Sequence, residues 1–215
     1  MSMTDDEKRV IKQANDAHIL KAGYKVCDWL PTLETPELRS LADLKGRMAV
    51  LNALINVSFG APTDYIKAWL QKHSLSKHLS ADETKILNTD TQALTKIESN
   101  GLRWYLECLW ALMWLTNMVD TLDAAQFVGD NQASMMPDLE NDEDNKKIDV
   151  LTSLRPELEI YTMLDYYYRL HWYCVDERIN GRQATLNEGV VFERRRALEW
   201  AFSRTADWDN VEMST

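Results

Sequence analysis

Apolar residues recur at intervals of three and four along most of this chain, and alternating runs with a period of two are missing. The first spacing lines one face of a helix, whereas the second would mark a strand. The chain therefore reads as all-α, a single-domain multi-helix bundle of about seven to eight helices. Thr4-Asp-Asp-Glu7 has the form of a capping box, in which a hydroxyl and a carboxylate satisfy orphan N–H groups of the first turn. Val10, Ile11, Ala14 and His18 follow at helical spacing as far as Gly23. Leu30-Pro31 to Thr35-Pro36 reads as a linker stiffened by two prolines. Ser40-Leu-Ala-Asp43 opens a second helix with Leu41, Leu44, Met48, Leu51 and Ile55 as its stripe, ending before Gly60. Pro62 suits the first turn of a short third helix.

Ser80-Ala-Asp-Glu83 is a further capping box, leading to Ile86, Leu87, Leu94 and Ile97, with Asn100-Gly101 as the break. The segment 102–119 is apolar nearly all round and is placed at the centre of the bundle. Pro156 begins a long helix to about Asn180, closed by Gly181, and Thr185-Leu-Asn-Glu188 reads as the cap of a last helix to about Arg204. The resulting division is an N-terminal helix at 1–23, a linker at 24–37 and a helical domain at 38–215. Within that domain, 128–148 reads as a mobile, solvated acidic loop.

Composition narrows the picture. Seven glycines and five prolines in 215 residues argue against a turn-dense β-sandwich or barrel. Eight tryptophans and eight tyrosines against four phenylalanines imply many large rings with a polar handle at the core's edge or at an interface. Cys27, Cys108 and Cys174 are far apart and odd in number, which reads as reduced thiols. The opening residues contain no apolar segment of the signal-peptide kind, and no apolar run approaches the ~20 residues that span a bilayer. The expected setting is the cytoplasm, away from membranes.

Charge is distributed unevenly. Residues 1–100 hold 13 lysines and arginines against 13 acids, whereas 101–215 hold 11 against 21, which accounts for the net charge of −10. Residues 120–149 alone hold nine acids and two lysines. Such a chain lacks the basic footprint of a nucleic-acid binder. Nine of the 11 cations in the second half are arginines, the cation preferred for partly buried carboxylate pairing.

Candidate chemistry concentrates on the long helix. Asp165, Arg169, Trp172 and Asp176 share a helical face, flanked by Tyr168 and His171. An acid–base or anion site is one reading; an ion pair between Asp165 and Arg169 that fixes helix register is the other. Glu107, four residues after Arg103, is a carboxylate in the most apolar helix and must be paired if buried, by Arg103 or by an arginine of 194–196. Arg195 and Glu199 can pair four residues apart. The candidate catalytic residues are thus Glu107, Asp165, Arg169 and His171. The candidate binding residues are Trp172, Asp176, Asp142, Glu143 and Asp144. No metal or cofactor is expected: His73 and His78 share no helix face, the acidic run lacks the calcium-loop glycine, and phosphate-loop and nucleophile-elbow motifs are absent.

Several segments together resemble one family. These are Leu38-Arg-Ser40, Arg47 with Ala49-Val-Leu-Asn-Ala-Leu54, Trp104 with Glu107-Cys-Leu-Trp-Ala-Leu-Met-Trp114, and Leu154-Arg with Glu159. Tyr168-Arg-Leu-His-Trp172, Val191-Phe-Glu-Arg-Arg-Arg-Ala-Leu-Glu-Trp200 and Trp208-Asp-Asn-Val complete the series. In order and spacing they resemble the domain of unknown function 4272 family, over about residues 38–215. The resemblance implies a mostly bacterial, stand-alone helical domain without an agreed activity, cofactor or partner. It maps recurring polar positions onto Arg47, Glu107, Arg169, His171, Glu193, Arg194 and Asp209. The chain departs from the pattern at Glu199, Ala201-Phe202 and Met213-Ser214.

Three function classes follow. The leading one is a non-catalytic protein-binding module, in its finer form an immunity-type inhibitor of a basic partner. The alternative is an enzyme of unrecognised type with an acid/base site between helices 102–119 and 156–180. The third is an architectural subunit, and monomer and homodimer stay open.

Overall fold

The computed structural model describes residues 3–34 and 37–215, so Met1 and Ser2 of the expected first segment and Thr35 and Pro36 of the expected linker lie outside the described residues. The described residues form an all-helical domain without strands: α1 (Asp5–Lys21), α2 (Leu41–Ser58), α3 (Thr63–Lys72), α4 (Ala81–Leu87), α5 (Lys96–Leu115), α6 (Gln132–Met135), α7 (Lys146–Asp149), α8 (Glu157–Ile179) and α9 (Glu188–Ala201). Short 3-10 turns cover Ser76–His78, Thr91–Ala93 and Trp208–Asn210.

The large helices pack in the order α3, α2, α5, α9, α8, α1, each against the next. In α2, capped by Ser40, 13 of 18 residues are buried on every face. α5 lies between α2 and α9, the central position that its apolar sequence demands, but it leaves Arg103 exposed and Trp104, Tyr105 and Leu106 half-buried. One contiguous core runs from Ile19 through Leu54, Leu112 and Leu170 to Leu198.

Local chemistry sets the helix starts. Thr4 with Glu7 and Ser80 with Glu83 form the capping boxes legible in the sequence. A third box, Thr95 with Glu98, starts α5 six residues earlier than its apolar run suggests. α4 therefore ends at Leu87, and Asn100-Gly101 lies inside α5 instead of breaking a helix. A box that satisfies two backbone donors outweighs the cost of one interior glycine, about 1 kcal/mol. α5 stops at Leu115 rather than at 119, because Asn117 turns the chain with a φ of 61°. The last helix is capped by Asn187, not Thr185, and ends at Ala201 rather than Arg204.

The acidic segment 128–148 departs most from expectation. It carries α6 and α7 and buries Gln132, Met136, Leu139 and Ile148. It is anchored to the body by Asn52 donating to Pro137 O, Tyr65 OH to Leu139 O, and Trp69 Nε1 to Glu143 O. Apolar side chains between the acids supply burial that a count of charges conceals.

The segment after α1 follows α8. Cys27 and Leu30 are buried against Tyr168, and Tyr161 OH donates to Leu33 O at 3.1 Å. α1 itself docks on α8 through buried Ile19 and through Asn15, whose Nδ2 donates to Thr162 O and to Asp165 Oδ2.

Candidate functional site

The four residues singled out for catalysis fall into three separate polar clusters. Asp165 receives Arg169 in a bidentate pair, Nε and Nη2 each at 2.8 Å, one helical turn apart on α8. Arg169 Nη1 also faces Asp16 of α1 at 3.5 Å, and burial pushes the Asp16 carboxyl up against the pull of that arginine. This cluster joins α1 to α8.

Glu107, on α5, is taken by Arg194 of α9 rather than by Arg103. Arg194 spends its remaining donors on Asp123 O, Gln126 O and Tyr167 OH, while Val128 N donates to the other Glu107 oxygen at 3.0 Å. Arg103, exposed, lies over the Phe59 ring instead. A helical pair four residues apart was geometrically open to Arg103. Burial decided against it, because a carboxylate sealed at this depth needs a cation that is itself buried.

His171 meets Arg195, whose Nη1 lies 2.7 Å from His171 Nδ1. An arginine only donates, so that nitrogen accepts and the ring is neutral. Burial first, then the charges of Arg195 and Arg178, push its pKa down to about 4. Arg195 also holds Glu199 at 3.1 Å and the carbonyls of Met213 and Ser214. The four residues share no cavity among five of about 240–840 Å³ formed by the described residues: Glu107, Asp165, Arg169 and His171 line none of them, while Arg195 and Glu199 of the His171 cluster border one, of about 760 Å³, beside Tyr161 and Tyr168.

The candidate binding residues are likewise dispersed. Trp172, half-buried, packs beside Cys27 and Leu30, and Asp176 is paired with Arg182 at 2.8 Å. Asp142, Glu143 and Asp144 sit on the α3 side and are paired with Lys72, Lys147 and Lys146. Local lysines thus offset the centre of the acidic run. Among the described residues, Asp130, Asp138 and Glu140, at its flank, have no cation within ion-pair distance.

Those three acids border a surface feature absent from the sequence reading. Phe59, at the end of α2, is 66% exposed and forms the shared wall of two adjoining cavities of about 720 and 560 Å³. One holds Ile55, Leu106, Leu109 and Val128, with Asp130 and Asp138 at its margin; the other holds Ala61, Pro62, Tyr65 and Leu139, with Glu140. Asn56 links the two. The sequence signal for it was Phe59-Gly60-Ala-Pro62, an aromatic where an apolar stripe ends and the chain turns. A larger cavity of about 840 Å³ between α1, α8 and residues 120–124 has Trp114 and Leu122 sealed in its floor and Arg155 committed to backbone carbonyls.

Among the described residues no group of three or more His, Cys, Asp or Glu is placed to hold a metal ion, and no helix is long and apolar enough to cross a membrane. The family model described as domain of unknown function (DUF4272) matches residues 11–211. The chain matches no curated protein and no solved structure.

Proposed function

The chain belongs to the domain of unknown function 4272 family, and from that premise we propose that it is a protein-binding module that takes a basic partner in the double groove astride Phe59. The observation that carries this reading is the exposed ring of Phe59 between two apolar hollows rimmed by Asp130, Asp138 and Glu140, three acids against Lys147 in one hollow and Arg103 over the ring. An aromatic anchor with apolar recesses on both sides is the kind of surface where a few contacts supply most of the binding energy. Carboxylates at its margin select a partner segment with lysine or arginine beside its apolar residues, and a net charge of −10 steers such a partner inward. The immunity-type inhibitor of a basic enzyme is the finer form of the same proposal. The acid–base alternative finds no support in the geometry, because each of its residues is occupied by a partner in its own cluster.

The test is capture from native lysate on immobilised wild-type and Phe59→Ala protein, at low and at moderate salt. A stoichiometric basic protein held by wild type, lost by the variant and weakened by salt, supports the proposal. Capture that is indifferent to both Phe59 and salt overturns it, as does retention of acidic proteins alone.

A further inference from the structure

A second, smaller cavity of about 240 Å³ lies between the start of α2, the turn at Ser76–His78 and the C-terminal segment around Trp208. Cations outnumber carboxylates in its lining. Arg39, Arg47, Lys77 and His78 all line it, in a chain whose net charge is −10.

Arg47 is 2% exposed and spends Nη2 on Glu83 at 2.6 Å, while neither its Nε nor the second Glu83 oxygen, Oε1, has a hydrogen-bond partner. Glu83 thus meets one of the five N–H donors of this guanidinium, and an anion in the cavity would add a second charge-assisted contact to it. Trp208 lies 4.6 Å from the same guanidinium and fixes the plane in which its donors point. Arg39 donates to the carbonyls of Trp200 and Ala206, and neither it nor Lys77 meets a carboxylate within ion-pair distance among the described residues. Two carboxylates also face the cavity, and both are engaged in turns. Asp43 accepts from the Ser40 hydroxyl at 2.6 Å, and Asp207 accepts from Asp209 N at 3.3 Å and from Asn210 Nδ2 at 3.1 Å.

We propose that this cavity binds a phosphoryl oxyanion, held by Arg47, Arg39 and Lys77. Its volume lies below the roughly 300–1,000 Å³ of sites that enclose drug-sized ligands, so only an ion or the phosphoryl end of a larger molecule fits inside. The lining comes from Arg39 and the start of α2, residues 77–80, Trp200 of α9 and residues 206–208, so the anion fastens the C-terminal segment to α2. The site lies apart from the groove of Phe59 and does not depend on the protein-binding reading.

The experiment is a titration of the full chain with inorganic phosphate, followed by amide and indole NMR shifts and by melting temperature, against chloride at matched ionic strength. Expected are saturable shifts confined to Arg39, Arg47, Lys77, His78 and the Trp208 indole, with a raised melting temperature. Lys77 is exposed, so Lys77→Glu keeps the fold and should weaken binding several-fold, whereas Lys146→Glu on α7 should leave it unchanged. A parallel titration with phenyl phosphate separates the two sources of the group. Equal affinity identifies the free ion as sufficient, and tighter binding identifies a larger phosphomonoester whose body lies at the mouth. Shifts that chloride reproduces, that spread over surface lysines generally, or that survive Lys77→Glu undiminished would overturn the proposal.

Discussion

Arg194 on α9 grips Glu107 on α5 from 87 positions away, with Nε at 2.8 Å and Nη2 at 2.7 Å, and both side chains are buried. Through its other bonds the same arginine ties Asp123 O and Gln126 O to Tyr167 of α8. Removing one partner of such a pair leaves a buried charge without compensation. Glu107→Gln is expected to lower unfolding free energy by about 3–5 kcal/mol in denaturant titrations. A loss below about 1 kcal/mol, the range of exposed pairs, would show that the clamp is solvated.

His171 makes stability depend on acid. Its folded pKa of about 4 lies below the unfolded value near 6.5. Between these, the unfolded chain binds a proton that the fold excludes, so stability is lost as pH falls from about 6.5 towards 4 and is untouched by this residue above neutrality. The loss reaches at most ~1.4 kcal/mol per pH unit. Burial raises the carboxyls of Asp16, Glu193 and Glu199, which act in the opposite sense. The clean measurement is therefore the difference between wild type and His171→Gln in melting temperature against pH. That difference should open below pH 6.5 and be flat above it.

Gly101 sits in the interior of α5 with nothing within 4 Å of the position a Cβ would take. Gly101→Ala should stabilise the protein by about 0.5–1 kcal/mol, through a smaller loss of backbone freedom on folding. An unchanged or lowered melting temperature would mean that the helix is interrupted at Asn100-Gly101 after all.

Cys108 and Cys174 should resist alkylation in the native protein. Both are fully buried; burial raises the Cys108 thiol well above its usual value and lifts Cys174 to about 12. Thiolate is the reactive form. Mass spectrometry after iodoacetamide should find both unmodified until denaturant is added, and rapid native labelling of either would contradict their burial.

The sequence by itself determined the helical class and most helix starts. Capping boxes and apolar periodicity act between residues three or four apart, so Thr4 and Ser80 could be read directly. The box at Thr95 obeyed the same rule and was masked by the more conspicuous Asn100-Gly101. Tertiary structure decided which partner each buried charge took. Glu107 had a neighbour four residues away in Arg103 and found its cation in Arg194, because only a buried guanidinium can neutralise a buried carboxylate. It also decided that the acids of 128–148 lie over a packed apolar anchor, and that Phe59 stands between two hollows formed by residues as distant as Ile55 and Leu139. Helix formation is a local matter of backbone satisfaction. A groove or an ion-pair cluster depends on contacts across more than eighty residues, which no spacing along the chain encodes.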